Sequence, residues 1–219
     1  MARYQIAAIS SIQPKNAFFR SMFCAVLFIS SASVAVYADE SSSRKQSPAK
    51  SSKTVGKTAV ADENGTENAY FAAGCFWKVQ YIFSKVPGVI ATRAGYTGGS
   101  TDHPTYRDVC SHNTGHAEAV QVEFDPKRIS YKKLLEVFWS HHDPTTLNRQ
   151  GPDIGDQYRS EVFYANKAQK DTALAYLAEL QKSKRFSSPI VTKLEPITTF
   201  YEAEEYHQDY FKKHGQSCE

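Results

Sequence analysis

From residue 68 onward the chain switches repeatedly between two hydrophobic periods. NAYFA, residues 68–72, reads as a strand, and CFWKVQYIFSKV then places Phe76, Val79, Phe83 and Val86 at helical spacing until Pro87-Gly88 stops it. VIATRAGYT (89–97) and AEAVQVEFD (117–125) read as strands, the second with Ala117, Ala119, Val120, Val122 and Phe124 in mostly alternating positions. Ser130 caps a helix through SYKKLLEVFWSHH. A strand SEVFYA, a helix KAQKDTALAYLAELQKSK, an extended IVTKLEPITTFY and a last helix AEEYHQDYFKKH (203–214) follow. The βαββαβα order with non-sequential pairing predicts an α+β sandwich of ferredoxin-like type. Two polar loops, 97–116 and 143–158, are longer than ordinary connections, and such loops commonly carry function.

Ahead of this domain the pattern changes. Arg3, Lys15 and Arg20 precede the apolar MFCAVLFISSASVAVYA, which ends in small residues before DESSSRKQ. Basic region, apolar run and Val36-Tyr37-Ala38 predict a secretory signal over 1–38, cleaved after Ala38, with export to a periplasm or the extracellular space. An uncut membrane anchor is the alternative, but the run is short for a span of about 20 residues; after cleavage no stable membrane insertion is expected. Residues 39–68 are rich in Ser, Lys, Thr and Gly and read as a disordered polar tether. Residues 69–219 are long enough for one domain with its own core, expected to be a monomer. The chain has 26 basic and 23 acidic residues; loss of the three basic ones before Ala38 leaves 23 of each. That balance gives no electrostatic reason to expect nucleic acid as a partner.

Cleavage also removes Cys24 and both methionines, Met1 and Met22, leaving Cys75, Cys110 and Cys218. An odd count in an exported chain leaves one thiol unpaired or in exchange, and a disulfide between two of them with the third buried is one arrangement. Cys75, in AGCFWK, follows a glycine at a strand-to-helix turn. A helix N-terminus there favours the thiolate and is expected to lower its pKa. Phe76 and Trp77 beside it could serve as core or as a pocket. His116 could pair with Cys75 as the base of a cysteine hydrolase. A third alternative is a disulfide-stapled binding module using the aromatic pair as a platform. His141, His142 and Asp143 could suggest a metal, but adjacent histidines do not share a helix face, and a solvated helix end is the expectation, with no metal site.

GCFW, GYTGG, PTYRDVC, TGHAE, GPDIGDQYRS and EEYHQDYF occur in order, and together they resemble the peptide methionine sulfoxide reductases of the A type from about Tyr70 to the C-terminus. The resemblance implies that family's α+β sandwich and the reduction of methionine S-sulfoxide, free or in proteins. It implies Cys75 as nucleophile, Phe76 and Trp77 as the pocket for the sulfoxide methyl group, and Glu118 as the acid that protonates the oxygen. Tyr106, Asp153 and Tyr158 fall on the family's other polar pocket positions. Lys78 stands where a small residue is common, and Gln80 where many relatives have Glu.

The chemistry requires that combination. A sulfoxide sulfur is a poor electrophile until its oxygen takes a proton, so a thiolate and an acid are needed together. Glu118 must therefore hold a proton well above the ordinary carboxyl value near 4.3, which an apolar setting supplies. Tyr106 and Tyr158 can donate hydrogen bonds to the same oxygen. Attack leaves Cys75 as a sulfenic acid, which a second thiol condenses with. Cys218, on the flexible tail after KKHGQS, is the expected resolving thiol; Cys110 is expected to be a packed one. No bound cofactor is expected, and a thioredoxin-like protein is the expected electron donor.

Overall fold

The structure is a computed structural model, and it describes residues 65–215. The signal-like segment, nearly all of the tether, and Cys218 lie outside the described residues. Strand β1 (Glu67–Ala73) leads into helix α1 (Phe76–Ser84) and strand β2 (Val89–Thr97). A short helix α2 (Tyr106–Cys110) precedes β3 (Ala117–Phe124) and α3 (Tyr131–Ser140). A hairpin of β4 (Arg149–Gln150) and β5 (Asp153–Ile154) and a 3₁₀ turn (Asp156–Tyr158) lead to β6 (Ser160–Tyr164) and α4 (Lys167–Ser183). Then come β7 (Lys193–Pro196), β8 (Tyr201–Glu202), a 3₁₀ turn (Glu205–His207) and α5 (Tyr210–Lys213).

The sheet runs β7-β6-β1-β3-β2-β8. Its inner four strands, β6-β1-β3-β2, are antiparallel neighbours in the order of the split βαβ sandwich expected from the sequence, and β7 adds in parallel outside β6. β3 lies near the middle, and its side chains are buried on both faces. Val120, Val122 and Phe124 join Phe71, Phe76, Phe83, Leu134, Phe138 and Trp139 in the main core under the helices. Ala117 and Ala119 face a smaller cluster with Tyr70, Phe163 and Phe200 on the other side. Phe71 stacks on Phe83 with ring centroids 4.9 Å apart, which ties α1 to β1. Each such buried aromatic contributes roughly 1.5–3 kcal/mol through the area it removes from water.

Two expectations need correction. The first long loop is not wholly irregular: Thr105 caps α2, accepting from the Asp108 N–H while the Asp108 carboxylate accepts from the Thr105 N–H. The Thr-x-x-Asp spacing in PTYRD is the signal for it. The predicted last helix is broken in two. Asp209 adopts a left-handed backbone, φ +52°, because Gln208 turns inward as a bracket. Its amide accepts from the Ala94 N–H (2.9 Å) and donates to the Ala94 and Ala203 carbonyls (2.9 and 3.0 Å). Gln80 of α1 completes the bracket, donating to Gln208 Oε1 (3.1 Å) and to the Thr92 carbonyl (3.2 Å) while accepting from the Asp209 N–H (2.8 Å). Both glutamines are buried.

Gln208→Ala leaves the Ala94 N–H and the Gln80 amide short of partners in a dry setting, and each orphaned group costs about 1–3 kcal/mol. Urea unfolding should show a loss of about 2–4 kcal/mol; a loss within the error of the measurement would mean that water replaces the bracket at no cost.

Candidate active site

The site begins where β1 passes into α1. Gly74 takes φ +87°, and a Cβ there would stand 2.6 Å from Gln150 Cγ, so only glycine lets the strand turn under the hairpin. Cys75 is the N-cap of α1 and is half-buried. Its carbonyl accepts from the Lys78 and Val79 N–H groups, and the Trp77 and Lys78 N–H groups also face its sulfur. Glu118 enters from β3, two residues before Val120 and so on the same sheet face as the main core. It is 1% exposed, and one carboxylate oxygen accepts from the Phe76 N–H at 3.0 Å.

Burial pushes the Glu118 carboxyl up to about 8; the Phe76 N–H opposes that rise and the nearby Asp153 charge adds to it. The acid is therefore protonated at neutral pH. Cys75 departs from expectation: burial, and then the Glu118 charge, push its thiol up to about 12 against the pull of the Trp77 N–H. The helix N-terminus acts in the expected direction but is outweighed. Ionised Glu118 and ionised Cys75 disfavour one another, so the resting site holds a thiol and a carboxylic acid.

Phe76 is fully buried, with its ring centroid 5.8 Å from Tyr96. Trp77 is partly buried and stacks on Tyr210 of α5 at 3.8 Å, with the planes 8° apart. Tyr158 stands at the end of its 3₁₀ turn; burial raises it to about 12, followed by the charges of Glu118, Cys110, Cys75 and Asp153. Tyr158 thus lies within the electrostatic reach of Cys75, Cys110, Glu118 and Asp153. Tyr106 opens α2, and its N–H donates to Glu204 (2.9 Å). Burial, and then a hydrogen bond with the Cys110 side chain one helical turn on, hold its hydroxyl above the ordinary phenol range. The structure thus brings together Cys75, Phe76, Trp77, Tyr106, Glu118, Asp153 and Tyr158. Cys218 lies outside the described residues.

Cys110 is half-buried like Cys75, hydrogen-bonded to Tyr106 and within the field of Glu118. His116 is unable to serve Cys75. Its Nδ1 accepts from the Gly99 N–H (3.1 Å) and its Nε2 donates to the Thr101 carbonyl (2.8 Å), so the ring ties down the first long loop. His141 is exposed at the end of α3, but His142 is half-buried, its Nε2 sharing a hydrogen bond with the Ser160 hydroxyl at 2.7 Å. Burial depresses its pKa to about 4, which removes it from the expected solvated helix end.

Two residues at the site were not singled out from the sequence, Glu204 and His207. Glu204 accepts from the Tyr96 hydroxyl and the Tyr106 N–H, both at 2.9 Å, and so fixes where α2 begins. His207 is 2% exposed and accepts from the Trp77 indole. Both lie in EAEEYHQDY, where a helical reading hid them; a charged and a titratable residue between aromatics was the available signal.

A family model described as peptide methionine sulfoxide reductase matches residues 67–219. A protein named peptide methionine sulfoxide reductase MsrA from Methanosarcina acetivorans is 59% identical over 151 residues, 69% of this chain and 80% of that protein. The crystal structure of Mxr1 from Saccharomyces cerevisiae in reduced form superposes with a TM-score of 0.68 at 35% identity, covering 76% of this chain and 96% of that one. Mxr1 in complex with Trx2 gives a TM-score of 0.50 at 27% identity, over 74% and 92% of the two chains.

The Glu118 shift carries a stability consequence. The unfolded chain ionises this carboxyl in the ordinary range while the fold resists until about 8, so wild-type stability falls as pH rises between the two. Glu118→Gln has no such loss. Between pH 5 and pH 8 its stability should gain on wild type by on the order of 3 kcal/mol, read from denaturant unfolding at both pH values. A constant difference would place the carboxyl's titration in the ordinary range.

Proposed function

Because the chain belongs to the peptide methionine sulfoxide reductase family, we propose that its thiol-dependent reduction of methionine sulfoxide runs on Cys75, Glu118 and Cys218, and on the S epimer at sulfur. One observation carries the reading: a buried carboxyl with its pKa raised to about 8 faces the N–H next to the half-buried Cys75. Phe76 and Trp77 form the wall for the sulfoxide methyl group. Glu118 gives its proton to the sulfoxide oxygen, and Tyr106 and Tyr158 donate hydrogen bonds to it; Tyr106 must first turn from Cys110. Asp153 adds negative charge that keeps the Glu118 proton in place until substrate accepts it.

Protonation leaves positive charge on the substrate sulfur, and that charge favours the Cys75 thiolate the resting site disfavours. The thiolate attacks sulfur, the S–O bond passes its oxygen to Cys75, and the thiol's proton restores Glu118. Methionine leaves and Cys75 remains as a sulfenic acid. Cys218 then attacks the Cys75 sulfur, forming a disulfide and releasing water. Tyr210, stacked on Trp77, holds α5 against the pocket wall, and only two residues separate Gly215 from Cys218, a reach of about 10 Å when extended. A thioredoxin-like protein supplies the two electrons that reopen the disulfide; the complex of the related Mxr1 with Trx2 supports such a partner.

The test is a reductant-free reaction of fully reduced protein with excess methionine S-sulfoxide. Two thiols should disappear with release of about one methionine per chain. In Cys218→Ser the first methionine should still form while thioredoxin-driven recycling fails; full recycling would remove Cys218 from the mechanism. Glu118→Gln should slow the first methionine by a factor of about 10² or more. Wild type should lose rate as pH rises through about 8, where Glu118 gives up its proton. A rate indifferent to both changes would assign the proton to another group.

A further inference from the structure

Beyond Cys75, one stripe of α1 lines an open cleft that the steps above do not use. Lys78, Tyr81, Ile82 and the C-cap residue Lys85 stand at i, i+3, i+4 and i+7, the spacing of a single helix face. His141 at the end of α3 and Gln150 of β4 close the other side, and the cleft is about 660 Å³. None of the side chains that line it is acidic. Both lysines are exposed, and neither pairs with a carboxylate among the described residues, whereas Lys132, Lys133, Lys167 and Lys213 all do. The carboxylate of Asp143, two residues after His141, is taken up by the Thr145 N–H and hydroxyl (2.9 and 2.6 Å). The cleft therefore carries uncompensated positive charge.

Its position relates that charge to the thiol. Lys78 lies one helical turn past Cys75, and its N–H donates to the Cys75 carbonyl at 3.2 Å. Gln150 stands against Gly74, the residue before Cys75. The Lys85 ammonium lies over the Tyr81 ring, 5.1 Å from its centroid, which draws the second charge over the cleft floor. Seven residues of helix rise about 10 Å, the length of about three residues of extended chain. An extended peptide can thus meet both lysines within a few residues of one that reaches Cys75.

We infer that this cleft binds the polypeptide substrate through acidic residues flanking its methionine sulfoxide: Lys78 and Lys85 receive the carboxylates, and Tyr81 and Ile82 form an apolar floor between them. The inference rests on Cys75 being the residue that attacks the sulfoxide sulfur. A substrate chain has to deliver that sulfur to Cys75, so the residues next to its methionine are carried to the cleft whatever the C-terminal tail does. Ion pairs this exposed are individually weak and are screened by salt. Their effect is a preference among substrates, and an uncharged substrate is reduced without them.

The experiment uses seven-residue peptides with a central methionine S-sulfoxide flanked on both sides by Glu, Gln or Lys. N-acetyl-methionine S-sulfoxide methylamide, which has neither charge nor flank, is the reference. The rate of first methionine formation at subsaturating substrate should fall in the order Glu, Gln, Lys, by about tenfold from first to last. In 1 M salt, where the Debye length is about 3 Å, that order should collapse. Lys78→Glu combined with Lys85→Glu should reverse the order and leave the rate on the uncharged reference unchanged. Should the double variant not fold, Lys78→Gln and the salt response of wild type decide the question, since each should shrink the preference. Equal rates on the three peptides, or an order kept in the double variant, would overturn the inference. A double variant altered only in its dependence on thioredoxin concentration would also overturn it, and would assign the cleft to the electron donor. If wild type forms no methionine from the uncharged reference, it is the chemistry at Cys75 that fails. Binding of a fluorescent Glu peptide then still decides the inference: it should weaken about tenfold in the double variant, and equal binding would overturn it.

Discussion

The hydrogen bond from the Phe76 N–H to Glu118 is the constraint around which the site is arranged. It spans two elements that the chain builds 42 residues apart, the first turn of α1 and the first residues of β3. The helix needs a partner for an N–H that no intrahelical carbonyl can reach. The carboxyl needs a donor because it enters the sheet on the core-facing side with Val120, Val122 and Phe124. Each need is met by the other, and the residue beside the junction is the thiol. A more open arrangement would ionise the carboxyl at neutral pH; a closed one without the N–H would leave it an orphan.

Several devices hold that junction in place, and none touches the reacting atoms. Gly74 lets β1 turn close beneath Gln150 of the β4–β5 hairpin without striking it. Arg159 is nearly buried, pairs with Glu161, and donates to the Asp156 and Gly115 carbonyls (2.9 and 3.1 Å). It thereby joins the turn that carries Tyr158 to the loop that precedes Glu118. His116 fastens the other end of that loop through Gly99 and Thr101. The two long loops are thus braced by buried polar groups, to which the first adds the packing of Val109 in the main core. Such bracing gives direction to a site that gathers Tyr106 and Tyr158 near Glu118.

Much of this was legible in the sequence, for identifiable reasons. The strand and helix over 68–86 were readable because Phe76, Val79 and Phe83 face one core, and Ser130 caps α3 as its side chain suggested. The residues that gather around Cys75 were readable as a group because six short motifs occur in order, with the glycines and aromatics of the candidate site inside them. What escaped depends on long-range partners. EAEEYHQDY has the periodicity of a helix, and nothing local says that Gln208 will reach Ala94 across 114 residues and break it. The direction of the Cys75 shift escaped for a related reason: a helix N-terminus is a local feature, whereas the burial and the facing carboxyl that outweigh it come from the assembled sheet.

The Gln80–Gln208 bracket bears on how such a chain can change over generations. Ala94 offers both an N–H and a carbonyl, and those two groups decide which way the Gln208 amide faces. The Gln208 oxygen is therefore turned toward Gln80, which must present a donor. A carboxylate at 80 would set oxygen against oxygen, and flipping Gln208 to relieve it would set N–H against the Ala94 N–H. In this chain positions 80 and 208 are accordingly coupled: a substitution at one changes the hydrogen bonds open to the other. The two residues lie 128 apart in the chain, yet the fold makes them one unit.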